Sequence, residues 1–145
     1  MTDPTAPHTP ATSPDLSQNL PPHYPFQQLI GFRKLEMSTG HALFALDIGD
    51  DLTNAVGILH GGVHALLLDN ALGASGCYAG PDVPPRRSVT LSLTVNFLAV
   101  PKGKVLLAEG RRVGGGRKIY FAEGMVRDDT GLDLARASGT FRYID

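Results

Sequence analysis

The sequence predicts an α+β domain in which an antiparallel sheet meets one long helix, and three observations carry that expectation. A Leu- and Ala-rich stretch, VHALLLDNALGASG, follows His60-Gly61-Gly62, with apolar residues recurring at Val63, Leu66, Leu67 and Ala71 as a helix requires. Beyond it, Val89, Leu91, Leu93, Val95 and Phe97 alternate with Thr90, Ser92, Thr94 and Asn96, the period-2 pattern of a half-buried strand. Three further strand-like segments complete the chain, separated by glycine-rich and aspartate-rich turns. A long helix followed by about four antiparallel strands is an α+β arrangement.

Taken in order, residues 1–22 hold six of the eleven prolines among Thr, Ser and Asp, with no Lys, Arg or aromatic residue, and are expected to form a mobile tail ahead of a domain spanning 23–145. PFQQLIG from Pro25 reads as a short helix, followed by strands near 32–37 and 41–48 joined at Ser38-Thr39-Gly40. Phe44, Leu46 and Ile48 alternate in the second. After the long helix, GPDVPP forms a loop, because proline ends the helix and cannot donate to a ladder. The strand through Val89 and Phe97 is expected to turn its apolar face to the helix. Strands at 104–113, 118–127 and 132–143 follow, with turns at VGGGR and DDTG.

At 145 residues the chain suits one domain with a single core. Net charge is −1, which gives no general bias toward nucleic acid or anionic membrane, yet residues 1–85 carry two basic and eight acidic side chains and residues 86–145 carry eleven and six. The second half is the expected anion-binding side. Cys77 is the only cysteine, so an intrachain disulfide and a cysteine-rich zinc site are excluded, and a reducing, cytoplasmic location is expected. No apolar run approaches the ~20 residues needed to cross a bilayer, and the N-terminus lacks the layout of a signal peptide.

The chemistry concentrates between Asn54 and Asp69. Gly61 and Gly62 lie at the start of the long helix, where first-turn N–H groups lack intrahelical partners and where side-chain-free residues let an oxygen approach bare donors. Asp69 follows His60 by nine residues, about two and a half turns and ~13 Å along the axis. The two therefore point to opposite sides. One helix cannot aim both Asp69 and the Gly61 amide at one carbonyl, whereas a two-fold dimer can set the aspartate of one subunit against the glycine turn of the other.

Asn54, Gly57, His60-Gly61-Gly62 and Asp69 together resemble the motif of the hotdog-fold acyl-CoA thioesterases, specifically the phenylacetate-degradation (PaaI-like) branch. The resemblance runs over about residues 25–143 and takes in TLSLTVNFL, GRKIYFAEGMVRD and LARASGTFRYI. It implies a sheet wrapped around the central helix and hydrolysis of an aromatic (phenylacetyl-type) or medium-chain acyl-CoA, with coenzyme A part of the substrate and no separate cofactor. By the same resemblance Asp69 is general base or nucleophile, and the Gly61 amide with the Asn54 side chain polarises the carbonyl. His60 lies near the thioester, positioning groups or assisting the thiol, or else serves as a helix cap. Thr90 orients water, although strand alternation sets it on the side away from Val89 and Leu91, so that a bulge is needed to turn it inward. Arg86, Arg87, Arg111, Arg112, Arg117 and Lys118, in loops or at strand ends, are the candidate phosphate contacts. The expected assembly is a homodimer at least and, since tetramers are common among relatives, a homotetramer by the resemblance.

Two other readings fit some of these residues. His60 and His64 share the four-residue spacing of zinc-binding helices, but the glutamate of HExxH is missing and no third ligand segment follows. A non-catalytic acyl-CoA binder or sensor on the same fold is the second alternative, since fold does not fix function.

Overall fold

The computed structural model describes residues 24–144, so the expected tail at 1–22 lies outside the described residues. Pro25 opens a short helix, α1 (Pro25–Ile30), and Gly31 closes it in the left-handed conformation at φ 89°. Strands β1 (Arg33–Ser38) and β2 (His41–Asp47) form a hairpin around Gly40, and a single 3₁₀ turn at Asp50–Leu52 leads to the long helix, α2 (Gly61–Ser75). Then come β3 (Ser88–Phe97), β4 (Val105–Gly115), β5 (Ile119–Asp128) and β6 (Asp133–Tyr143). Every pairing is antiparallel, in the order β1-β2-β4-β5-β6-β3, which leaves β1 and β3 as the two edges.

The sheet curls around α2, the hotdog arrangement expected from the resemblance. Val63, Leu67, Leu68, Ala71 and Leu72 on the helix are buried against Leu46, Leu106, Tyr120, Val126, Leu134 and Phe141 on the strands. The close seat depends on small residues beneath the helix. A Cβ on Gly110 of β4 would strike the Ala71 carbonyl, and Gly110 pairs with Gly124 of β5, where a Cβ would meet Leu72. No helix among the described residues is long and apolar enough to cross a membrane.

Two departures from the expected strands share one cause. Uninterrupted alternation would put Val89 and Leu91 on the helix side with Leu93 and Val95, but both are exposed, at 44% and 52%. Thr90 pairs with Phe141 and Ser92 with Thr140, so the register slips at Leu91. A one-residue bulge exchanges the faces of a strand. Before it Ser88 and Thr90 face inward with buried Tyr143 and Phe141, and after it Leu93 and Val95 pack on the core. Strand β4 has a register slip of its own, between Arg112 and Gly114, and runs on to Gly115, beyond the expected end at 113.

Asp128 anchors the turns at one end of the sheet. Its Oδ2 accepts from the N–H groups of Lys102 (2.8 Å) and Gly103 (2.9 Å), and its Oδ1 from the Thr130 N–H (3.0 Å), the Thr130 hydroxyl (2.5 Å) and the Leu132 N–H (3.2 Å). Burial alone would push this carboxyl up, but the Thr130 hydroxyl and the backbone donors outweigh it and hold it well below the usual carboxylate range. Asp128→Ala orphans these donors and should cost roughly 3 kcal/mol of stability at pH 7. Because folding depresses the carboxyl's pKa, that contribution is complete above the unfolded value near 4 and is lost as pH falls below it. The Tm gap between wild type and variant should therefore narrow between about pH 4 and pH 2, and a pH-independent gap would contradict the assignment.

Candidate active site

The loop before α2 is organised by Asn54. Its Oδ1 accepts from the N–H groups of Val56 (3.0 Å) and Ile58 (3.3 Å), while its backbone N–H donates to the Ile58 carbonyl (2.7 Å) and its carbonyl accepts from Gly57 (3.0 Å). Gly57 supplies the positive φ, 78°, that this tight turn needs. Committing Oδ1 to the loop fixes the amide plane and leaves the Nδ2 donors without an acceptor among the described residues.

At the start of α2 the donors are disposed of one by one. The His60 N–H donates to the Leu52 carbonyl (2.9 Å), the Gly62 N–H to His60 Nδ1 (2.8 Å) and the Val63 N–H to the His60 carbonyl (2.9 Å). His60 is thus the helix cap, the structural one of its two expected roles, and its ring is otherwise exposed. The Gly61 N–H is left with no acceptor among the described residues. It opens into a cleft of about 370 Å³ that Asn54, Ile58, His64, Phe97 and Val100 also line. A Cβ on Gly61 would come within 3.3 Å of the Phe97 ring, so a side chain there would crowd the cleft.

His64 belongs to this cleft and was not singled out for it by sequence. It is 4% exposed, its ring meets that of Phe97 edge-on at 6.0 Å, and its Nδ1 has no hydrogen-bond partner among the described residues. Burial pushes its pKa down, which favours the neutral imidazole. The spacing of three from Gly61, which sets both on one helical face, is the signal that sequence offered.

Asp69 lies on the other side of α2. It is half-buried, and its Oδ1 accepts from the Thr90 hydroxyl at 2.6 Å, a contact delivered by the bulge at Leu91. The adjoining cavity, about 590 Å³, is lined by Tyr24, Phe26, Phe32, Leu66 and Gly62 as well as by Asp69 and Thr90. Gly61 and Gly62, adjacent in sequence, therefore face different clefts. The Tyr24 hydroxyl donates to Asn70 Oδ1 (3.1 Å), and burial with the Asp69 charge pushes the phenol's pKa up.

The basic residues divide. The Arg86 guanidinium stacks 3.4 Å above the Tyr143 ring and donates to the Arg117 carbonyl, while the Arg87 and Lys118 carbonyls accept from Ile144 and Tyr143. Arg86, Arg87, Arg117 and Lys118 so gather where β3 begins, near Thr90. Arg112 is exposed on β4. Arg111 is drawn instead into an ion pair with Glu109, which also binds His41 at 2.8 Å, on the outer face of the sheet. That face has its own concavity of about 420 Å³, lined by Glu109, Arg111, Glu123, Arg127 and Arg136. It lies away from α2. With His60 Nδ1 committed to the cap, no group of three His, Cys, Asp or Glu able to hold a metal occurs among the described residues.

The family model of the thioesterase superfamily matches residues 56–135 of this chain. Among solved structures, a conserved protein of Pseudomonas aeruginosa is 25% identical over 84% of this chain and 95% of its own, with a TM-score of 0.73. A Streptococcus mutans protein bound to acetyl CoA is 26% identical over 78% and 88%, with a TM-score of 0.67. The E. coli PaaI protein of the phenylacetic acid degradation operon shares the fold at 18% identity over 83% and 84%, with a TM-score of 0.72. No curated protein sequence matches the chain.

The cap geometry makes a direct prediction. His60→Ala should lower stability by about 1 kcal/mol in urea unfolding, and His60→Asn, with a good capping side chain, should recover most of it; equal stability of all three proteins would show that the ring does not cap α2.

Proposed function

The chain belongs to the thioesterase superfamily, and from that premise we propose that it hydrolyses acyl-CoA thioesters in a site completed by two subunits. The observation that carries the proposal is the division of α2: the Gly61 donor and Asp69 open into separate clefts, and β3 touches both. Thr90 of β3 bonds Asp69, whereas Phe97, seven residues on, packs at Gly61. That is about 23 Å of strand. As an edge, β3 has unpaired ladder groups on one side. Two-fold antiparallel pairing of β3 with a second copy, centred on Thr94, sets Thr90 roughly opposite Phe97 of the partner subunit once the extra residue of the bulge at Leu91 is counted. Asp69 then faces a Gly61 cleft that its own helix cannot reach.

In such a site the Gly61 N–H and the Asn54 Nδ2 bind the thioester oxygen as it becomes anionic, the kind of preorganised donor pair that stabilises acyl-transfer transition states. Thr90 holds one oxygen of Asp69, leaving the other to accept a proton from water, which attacks the carbonyl carbon. Collapse breaks the C–S bond and expels the coenzyme A thiolate, whose parent thiol ionises at about pH 8.5, which makes acid assistance unnecessary. Arg86, Arg87, Arg117 and Lys118 at the head of β3 offer charge to the phosphates, with Arg112 on β4 a further candidate. The acetyl CoA on the Streptococcus mutans relative supports a coenzyme A substrate. Tyr24, Phe26 and Phe32 line the cavity beside Asp69 and favour an aromatic, phenylacetyl-type acyl group over a medium aliphatic chain.

Asp69→Asn should lower kcat on phenylacetyl-CoA by about 10³-fold while changing coenzyme A affinity by no more than a few-fold, as read by free-thiol release and calorimetry. Unimpaired hydrolysis would eliminate the mechanism. A wild-type protein that bound acyl-CoA tightly but cleaved neither aromatic nor aliphatic thioesters would instead be a binder or sensor.

A further inference from the structure

The proposed reaction leaves one polar group in the Gly61 cleft unused. We propose that His64 is a third hydrogen-bond donor to the thioester oxygen, acting through its Nε2–H beside the Gly61 N–H and the Asn54 amide. The inference rests on the thioesterase reading and adds a residue to its oxyanion site.

Position, enclosure and packing agree on this role. His64 lies one turn after Gly61, and helical side chains lean back toward the N-terminus, so its ring lies over the first turn of α2. Gly61 and Gly62 have no side chains to intervene. Nδ1 is fully enclosed and has no partner among the described residues, whereas Nε2 is not enclosed, which turns the Nε2 edge toward the cleft that His64 lines. A buried N–H without an acceptor is tolerated less well than an unpaired acceptor lone pair, so the proton of the neutral ring resides on Nε2. The edge-on contact with Phe97, 6.0 Å between centroids, holds the ring in place. His60 does not supply this donor, because its Nδ1 is spent on Gly62 and its ring is exposed. His64 keeps its proton throughout: the bonds made and broken remain those of water to the carbonyl carbon and of carbon to sulfur.

The test compares two full-length variants with wild type on phenylacetyl-CoA. His64→Leu, which keeps bulk and loses the donor, should reduce kcat by about 10²–10³-fold with KM within about threefold. His64→Gln, which keeps an N–H, should stay within about tenfold of wild type. A His64→Leu enzyme with wild-type kcat would overturn the inference, as would a His64→Gln enzyme as slow as His64→Leu. Should His64→Leu fail to fold, long-range ¹H–¹⁵N spectra of wild type decide: the expected result is an Nε2–H tautomer whose proton resonance moves on adding a ketone analogue of phenylacetyl-CoA with methylene in place of sulfur. An Nδ1–H tautomer, or no movement in the saturated complex, would overturn it. Absence of acyl-CoA hydrolysis by wild type sinks the parent reading along with this one, whereas hydrolysis lost in Asp69→Asn but untouched in His64→Leu sinks this one alone.

Discussion

Helix α2 lies in the curl of the sheet with Val63, Leu67, Leu68, Ala71 and Leu72 enclosed, and any functional group on it must reach the surface through what that enclosure leaves open. Two openings lie along the helix among the described residues. One is the first turn, where Gly61 meets Asn54 and Phe97, and the other is the flank at Asp69, beneath Thr90 and the aromatic rings of Tyr24, Phe26 and Phe32. The glycines of β4 and β5 bring the sheet close enough to make this enclosure tight, so the same packing that stabilises the domain separates the Gly61 cleft from the Asp69 cavity.

Strand β3 is both an edge of the sheet and a wall of each opening, and the proposed dimer pairs through it for that reason. The bulge at Leu91 turns Thr90 down to Asp69 and sends Val89 and Leu91 outward, so a local irregularity in pairing decides which side chain orients the carboxylate. At the other end hydrogen bonding is economical: Asn54 Oδ1, His60 Nδ1 and the Gly62 and Val63 amides are all consumed in building the turn. What is left over is the Gly61 N–H, the Asn54 Nδ2 and, on the proposed tautomer, the His64 Nε2–H, none with an acceptor among the described residues. A carbonyl oxygen gaining charge is the complementary group.

Much of this was legible in the amino-acid order. The helix showed itself through Leu and Ala at helical spacing, the sheet through alternation and turn residues, and the Asn54-to-Asp69 motif placed the candidate segment at a helix start. The division of Gly61 from Asp69 followed from helical geometry alone. Other features were hidden for physical reasons. The bulge in β3 was called for only by the role the resemblance gives Thr90; the alternation itself reads as unbroken, because a bulge leaves no mark on the apolar pattern when Leu91 is itself apolar. For His60 the sequence left a cap and a place near the thioester both open, because capping depends on backbone conformation, and His64 drew notice only through its zinc-like spacing from His60, because the packing of Phe97 against it is a long-range contact. Tyr24 entered the Asp69 cavity from a segment 45 residues distant, and Asp128 read as half of a DDTG turn although it anchors a second loop at Lys102 and Gly103.

Each proposed site draws on two chains, and subunit complementation tests this sharing most directly. Inactive Asp69→Asn and Asn54→Ala proteins, unfolded together and refolded as a mixture, form heterodimers with one doubly damaged site and one intact site. If sites are shared, the mixture regains about a quarter of wild-type turnover, since half of the dimers are hybrid and each has one working site. If all catalytic groups act within one chain, both subunits stay damaged in every combination and the refolded mixture remains as inactive as its parents.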